Sequence, residues 1–226
     1  QQNGATALHF RQFDLDSAKS KQDIIGIAKI CAEQDGESTI EAFDQFDFDL
    51  EKDHDVIVEI VKICAKRNAG KVVNCFEQFG FDHEKDRDVI IEIAKLCAVQ
   101  DGTLAMEFFQ KFELNAEKQM DWADVVEIAK LCSKSSQCVP NYFPKFGLTT
   151  KHRKNLPVIV EIAKNCIRKD DENTAKHFRK FDLNIQNEEH RESVIEIIKF
   201  FMKKNVCVTA EYFQNFGLDN EKDRSF

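Results

Sequence analysis

Apolar residues fall in two kinds of block that alternate along the chain. The first kind is nearly continuous. In Val89-Ile-Ile-Glu-Ile-Ala-Lys-Leu-Cys-Ala98 only Glu92 and Lys95 interrupt it. A run of about ten residues whose two charges stand three apart fits a helix, because those charges then share one face and can pair. A helix apolar on nearly every side is buried between neighbours. The second kind is a stripe: in Leu104-Ala-Met-Glu-Phe-Phe-Gln-Lys-Phe112, residues Ala105, Phe108, Phe109 and Phe112 recur at i, i+3, i+4 and i+7. That spacing predicts one continuous amphipathic helix. The polar stretch Gln100-Asp-Gly-Thr103 lies between the two, and Thr103 is the expected N-cap of the second helix. The pattern predicts a helical hairpin, helix A followed by helix B. Gly-apolar pairs close helix B at Gly80-Phe81, Gly147-Leu148 and Gly217-Leu218, as a left-handed C-cap requires. Asp14, Asp47 and Asp182 stand in place of that Gly elsewhere, and residues 82–114 end with Glu113-Leu114.

The hairpin repeats. Phe-x-x-Phe occurs seven times, beginning at Phe10, Phe43, Phe76, Phe109, Phe143, Phe178 and Phe213, so successive copies are 33, 33, 33, 34, 35 and 35 residues apart. Helix A repeats in step: Ile27-Ala-Lys-Ile-Cys31, Ile60-Val-Lys-Ile-Cys64, Ile93-Ala-Lys-Leu-Cys97, Ile128-Ala-Lys-Leu-Cys132 and Ile162-Ala-Lys-Asn-Cys166, with a degenerate copy at Ile197-Ile-Lys-Phe-Phe201. A period of this length marks a stacked array. The expected fold is all-α, a right-handed α-solenoid of about six helix-turn-helix repeats of 33–35 residues, forming one domain over residues 1–226. One hairpin cannot bury both motif Phe, whereas stacked neighbours can, and each buried Phe contributes roughly 1.5–3 kcal/mol. Pro140 and Pro144 in Val139-Pro-Asn-Tyr-Phe-Pro144 predict a kink in the fourth helix B and a bend near residues 133–146. Residues 1–14 read as a lone helix B. The closing Leu218-Asp-Asn-Glu-Lys-Asp-Arg224 reads as the entry to a further helix A, so a piece of a longer array is expected.

Composition narrows the classes. No apolar run approaches the ~20 residues that span a bilayer, and the first residues lack the basic and apolar regions of a secretory leader. Of eight Cys, five (Cys31, Cys64, Cys97, Cys132, Cys166) hold one repeat position on helix A. Neighbouring helices stand about 8–10 Å apart, too far for a disulfide, which needs Cα atoms within about 7 Å. They are read as buried thiols in a reducing, intracellular compartment. No C-x-x-C spacing, Gly-rich phosphate loop, H-E-x-x-H or Gly-x-Ser-x-Gly elbow occurs, so no enzyme activity, metal or cofactor is expected. Net charge is −8, with 26 acids and 14 Lys+Arg in residues 1–126 and 14 and 18 in residues 127–226. The basic half carries a candidate patch of Lys151, Arg153, Lys154, Arg179 and Lys180.

Two sets of positions are candidates for partner binding. The recurring charges Glu59, Lys62, Glu92, Lys95, Glu127 and Lys130 form a ladder that is either a solvated face or a charged surface gripping a peptide. The residue before the first motif Phe varies (His9, Ala42, Cys75, Phe108, Tyr142, His177, Tyr212) beside an unchanging neighbour. That row either edges the core or lines a groove whose side chains, Phe108, Tyr142, His177 and Tyr212 among them, set partner choice.

The small residues Ala94 and Ala105 with Phe109 resemble the helix A–helix B contact of tetratricopeptide repeats. Leu96-Cys97, Ala105 and Phe109 are similar to the pentatricopeptide pattern. The chain departs from the first family in having Phe112 at a small-residue position and few boundary Pro. The second resemblance implies RNA reading by polar residues early in helix A, but the matching positions here are Ile25, Val58, Ile91, Val126, Val160 and Ile195. These cannot hydrogen-bond a base edge. The period is also similar to that of transcription-activator-like DNA-binding repeats, and in style the array resembles those of bacterial effectors acting inside host cells. The expectation is a monomeric protein-interaction scaffold that binds a peptide or protein along an extended repeat surface, with no membrane partner. The alternative is a nucleic-acid-binding repeat protein using the basic half.

Overall fold

The computed structural model describes residues 5–13 and 20–218. Every regular element among them is helical. In chain order they are α1 (Ala5–Leu8), α2 (Lys21–Gln34), α3 (Gly36–Glu41), α4 (His54–Ala65), α5 (Ala69–Asn74), α6 (Arg87–Gln100) and α7 (Gly102–Glu107). Then come α8 (Trp122–Ser135), α9 (Val139–Tyr142), α10 (Leu156–Lys169), α11 (Asp171–Lys176), α12 (Glu188–Lys204) and α13 (Val206–Glu211). Long A helices therefore alternate with short B segments. Asp14 and the segment 219–224 lie outside the described residues.

Helix B is not one helix. Each short α segment stops before its Phe-x-x-Phe motif, and the motif itself is a 3₁₀ turn: Phe43–Phe46, Phe76–Phe79, Phe109–Phe112, Phe143–Phe146, Phe178–Phe181 and Phe213–Phe216, with Phe10–Phe13 at the start. The junction residue carries the break, as at Phe108 with φ −102° and ψ 15°. The spacing i, i+3, i+4, i+7 suggested a continuous stripe, and burial of the rings explains the difference. In a 3₁₀ turn the side chains at i and i+3 eclipse, so both motif rings point into the core, and Phe109 and Phe112 are 0% and 1% exposed. Pro144 consequently kinks nothing. It is the second residue of a 3₁₀ turn at a place where the α-helix has already ended in the other hairpins.

The capping residues follow backbone need. Five of the short helices are capped by Asp or Asn, and α9, which follows Cys138, has no side-chain cap; in the third hairpin the cap is not the expected Thr, since the Asp101 carboxylate accepts from the Thr103 and Leu104 amides. Asp35, Asn68, Asp170 and Asn205 do the same in their hairpins. Ser38 holds the Asp35 carboxyl below its ordinary range through its hydroxyl and amide. After the second to seventh motifs the chain turns through the left-handed region at Asp47, Gly80, Glu113, Gly147, Asp182 and Gly217, which ends the 3₁₀ turn as a C-cap does. The linker acids close loops. The Asp82 carboxylate accepts from the Glu84 and Lys85 amides, while Asp86 accepts from the Asp82 amide at 2.9 Å.

The chain divides into two compact units, Gln1–Glu113 and Leu114–Phe226. In the first, α4 packs between α2 and α6, and α5 between α3 and α7. In the second, α10 packs between α8 and α12, and α11 against α13. Consecutive hairpins interlock through their rings, the first Phe of one motif meeting the second Phe of the next. Centroids are 4.8 Å apart for Phe10–Phe46, 5.2 Å for Phe43–Phe79 and 5.1 Å for Phe76–Phe112 in the first unit. In the second unit Phe143–Phe181 and Phe178–Phe216 are each 4.9 Å apart. Tilted or edge-on pairs at this range add about 0.5–1.5 kcal/mol each beyond burial. All eight Cys are free, and the five framework thiols are buried. Burial pushes the Cys64 and Cys97 thiols up to about 12, and raises Cys31 and Cys166 as well.

Candidate protein-binding surface

The Glu/Lys ladder does not close within one helix. Four Lys reach the Glu of the following hairpin: Lys29–Glu59 at 2.6 Å and Lys62–Glu92 at 2.5 Å in the first unit, Lys130–Glu161 and Lys164–Glu196 at 2.6 Å in the second. The expected i, i+3 pairing is therefore replaced by pairing across the stack. The reason is geometric. Helix packing sets A helices side by side at about 8–10 Å, so the next helix offers a carboxylate to which a Lys stem can extend over apolar surface. The Lys ends are half-buried and the Glu ends exposed, so each rung contributes about 0–1 kcal/mol. Lys95 and Glu127 hold the same positions in α6 and α8. Ladder charges are neutralised along the stack, which leaves them less suited to gripping a charged peptide terminus than an unpaired row would be.

A second ladder runs beside it. The residue opening one A helix meets the residue preceding the next: Lys21 with Asp53, His54 Nε2 with Asp86 Oδ1 at 3.0 Å, and, in the second unit, Trp122 Nε1 donating to Asn155 Oδ1 at 2.6 Å. Asn155 is buried and also donates to the Thr149 carbonyl at 2.8 Å, which satisfies both ends of its amide.

The variable row sits at the break between each short helix and its 3₁₀ turn. Ala42 is buried; Cys75, Phe108, Tyr142, His177 and Tyr212 are half-buried and His9 is exposed. In three hairpins a Lys three residues on accompanies the ring: Lys111 over Phe108 at 5.7 Å, Lys145 over Tyr142 at 5.1 Å, and Lys180 near His177. Burial, then the charges of Lys180 and Lys176, push the His177 imidazole below its ordinary value, so it is neutral at pH 7. Each of these is an aromatic face edged by a cation, suited by itself to a carboxylate-bearing or apolar side chain.

The third motif residue carries a role that was legible but not read. Its long donor caps the carbonyls ending the preceding short helix: Gln45 Nε2 to Leu8 O at 3.2 Å, Gln78 Nε2 to Ile40 O at 3.3 Å and Lys111 Nζ to Asn74 O at 3.0 Å. In the second unit Lys180 Nζ reaches Asn141 O at 3.3 Å and Asn215 Nδ2 reaches Ala175 O at 3.1 Å. Those carbonyls are orphaned because the α-helix stops there. The signal was the constant Gln, Lys or Asn before the second Phe.

The basic positions are not gathered into one free patch. Arg179 donates to the Gln214 carbonyl at 3.0 Å and Lys180 to Asn141 O, while Lys154 lies 4.4 Å from the Trp122 ring centroid. Lys151 and Arg153 are exposed, but Thr150 beside them bonds the Asp182 carboxylate at 2.8 Å, which brings an acid to the same place. Among the described residues no group of three or more His, Cys, Asp or Glu is placed to hold a metal ion, and no helix is long and apolar enough to cross a membrane. No known protein family, curated protein or solved structure matches the chain.

Proposed function

We propose that this chain is a protein-interaction scaffold, an α-solenoid-like array without catalytic activity that acts as a monomer and binds a peptide or protein domain along its repeat surface. The observation that carries the reading is the contrast between frame and row. Motif Phe, caps and ladder recur hairpin after hairpin, while the half-buried row Phe108, Tyr142, His177 and Tyr212 changes at each step. Invariant stacking with variable exposed side chains is how repeat arrays separate stability from recognition. The nucleic-acid alternative draws less support, because Arg179, Lys180, Lys154, Lys130 and Lys164 are engaged within the chain by carbonyls, a ring or Glu.

The test is cross-linking capture with the full chain, followed by affinity measurement of the captured partner against two variant sets. Phe108→Ala with Tyr142→Ala should weaken binding at least tenfold, and reversal of Lys151 and Arg153 should leave it within twofold. Partner binding indifferent to the row would refute the reading. A salt-sensitive complex with an oligonucleotide, lost on reversing Lys151 and Arg153, would put the alternative in its place.

A further inference from the structure

Acids are dense in this chain, yet they vanish from one full period of it. Residues 128–160, 33 positions, hold no Asp or Glu, where 40 acids in 226 residues would place about six. Six Lys and Arg stand in the same stretch, Lys145 among them. Lys145 belongs to the B segment of this fourth hairpin, α9 with the turn Phe143–Phe146, and lies 5.1 Å from the Tyr142 ring centroid. The reversal of charge reaches the motif itself. Its second position is Asp44 and Glu77 in the second and third hairpins, Pro144 in the fourth and Arg179 in the fifth.

The fifth hairpin brings further cations to the same place. Lys180 Nζ donates to the Asn141 carbonyl at 3.3 Å, which sets its ammonium beside Tyr142. A neutral carbonyl takes one of the three donors of an ammonium and does not offset its charge. Among the described residues neither Lys180 nor Lys176 has an acid partner. The His177 imidazole, kept neutral at pH 7 by burial and then by the charges of Lys180 and Lys176, ties the two cations to one site. We infer that the face made by Tyr142, His177, Lys176 and Lys180 docks an acidic segment of a protein partner, its carboxylates on the two Lys and a bulky apolar side chain on the Tyr142 ring. The proposal rests on the scaffold reading and gives that partner a chemistry.

Stacking of repeats does not cover this face. The hairpins of Tyr142 and His177 each already have the following hairpin packed on them, through Phe143–Phe181 and Phe178–Phe216 at 4.9 Å, and both residues stay half-buried. A further hairpin lengthens the row and leaves it open. A nucleic acid fits less well. Its phosphates call for cations along the whole path, whereas Asp171, Glu172 and Asp182 interrupt them within the fifth hairpin.

The probe is a rhodamine-labelled peptide of three Glu-Phe-Ser triplets, titrated into the full chain and followed by fluorescence anisotropy. Saturable binding in the micromolar range is expected, with the matching Gln-Phe-Ser peptide at least tenfold weaker. Lys176→Gln with Lys180→Gln should weaken the Glu peptide about tenfold, and Tyr142→Ala should do the same. A Gln in place of Lys180 keeps the carbonyl bond, as Gln45 and Gln78 do at that motif position. Circular dichroism and the urea midpoint of the double Gln variant should therefore not move. Lys151→Gln with Arg153→Gln should leave binding within twofold. Binding that is indifferent to the Lys176 and Lys180 changes, equal for the two peptides, or absent below millimolar peptide overturns the proposal. So does an oligonucleotide that displaces the peptide at the same salt, which would make nucleic acid the occupant. Binding that appears only once residues 219–226 are removed would make the chain's own end the occupant and overturn it too. A captured partner that responds to Phe108→Ala with Tyr142→Ala, but not to the two Lys changes, leaves the scaffold reading standing and overturns this one alone. Capture indifferent to the row, with the Glu peptide still bound, does the reverse.

Discussion

Phe178 and Phe213 offer a controlled comparison of what stacking contributes. They are the same residue at the same motif position in adjacent hairpins of one unit. Phe178 is completely buried, with Phe181, Phe201 and Phe216 at 6.1, 6.4 and 4.9 Å. Phe213 is half-buried. Removing a fully enclosed ring costs about 3–5 kcal/mol, lost transfer energy plus the cavity left behind. At Phe213 one side already faces an open groove, so no cavity forms, and Phe213→Ala should cost about 1–1.5 kcal/mol from partial burial alone. With a urea dependence of about 2 kcal/mol per molar, Phe178→Ala moves the midpoint down by about 2 M and Phe213→Ala by under 1 M. Trp122, the one Trp of the chain, lies in the same unit and reports its unfolding. Equal midpoint shifts for the two variants would refute the claim that a ring is stabilised chiefly by the hairpin that follows it.

Three further predictions use other features of the frame. A thiol reagent at pH 7 should modify Cys207 within minutes and leave Cys31, Cys64, Cys97, Cys132 and Cys166 unreacted until denaturant is added; rapid labelling of all eight would mean the A helices are not buried. Because folding raises the Cys64 and Cys97 thiols from 9 to about 12, their contribution is fully present below pH 9 and is lost as pH rises toward 12. Midpoints measured at pH 8 and 11 should therefore fall less in a Cys64→Ala, Cys97→Ala chain than in the native one. At the left-handed cap Glu113, with φ 52°, Glu113→Gly should stabilise the first unit by about 1 kcal/mol. Gly147→Ala should destabilise the second by more than that, since a Cβ there would stand 2.2 Å from Asn115 Oδ1. Calorimetry that ranks those two changes in the opposite order would show the caps to be unstrained.

Much of this chain is decided locally. The apolar block of helix A, the motif at its 33–35-residue beat and the left-handed caps at Gly80, Asp47 and Asp182 are properties of short segments. Helical period, side-chain volume and backbone sterics suffice to read them. The buried framework Cys followed in the same way from one position on an apolar helix. What the linear pattern could not decide is who meets whom. Glu92 and Lys95 satisfy helical spacing within α6, yet Glu92 pairs with Lys62 of the hairpin before, because the separation between stacked helices is a tertiary quantity. The same holds for helix B. A stripe at i, i+3, i+4, i+7 and an α segment broken into a 3₁₀ turn share one sequence, and only enclosing both Phe rings in a common core selects the second. Burial is tertiary as well: Met202 holds in α12 the position that Ile167 holds in α10, yet Ile167 is completely buried and Met202 is 48% exposed, because burial depends on what packs against a helix and not on its own sequence.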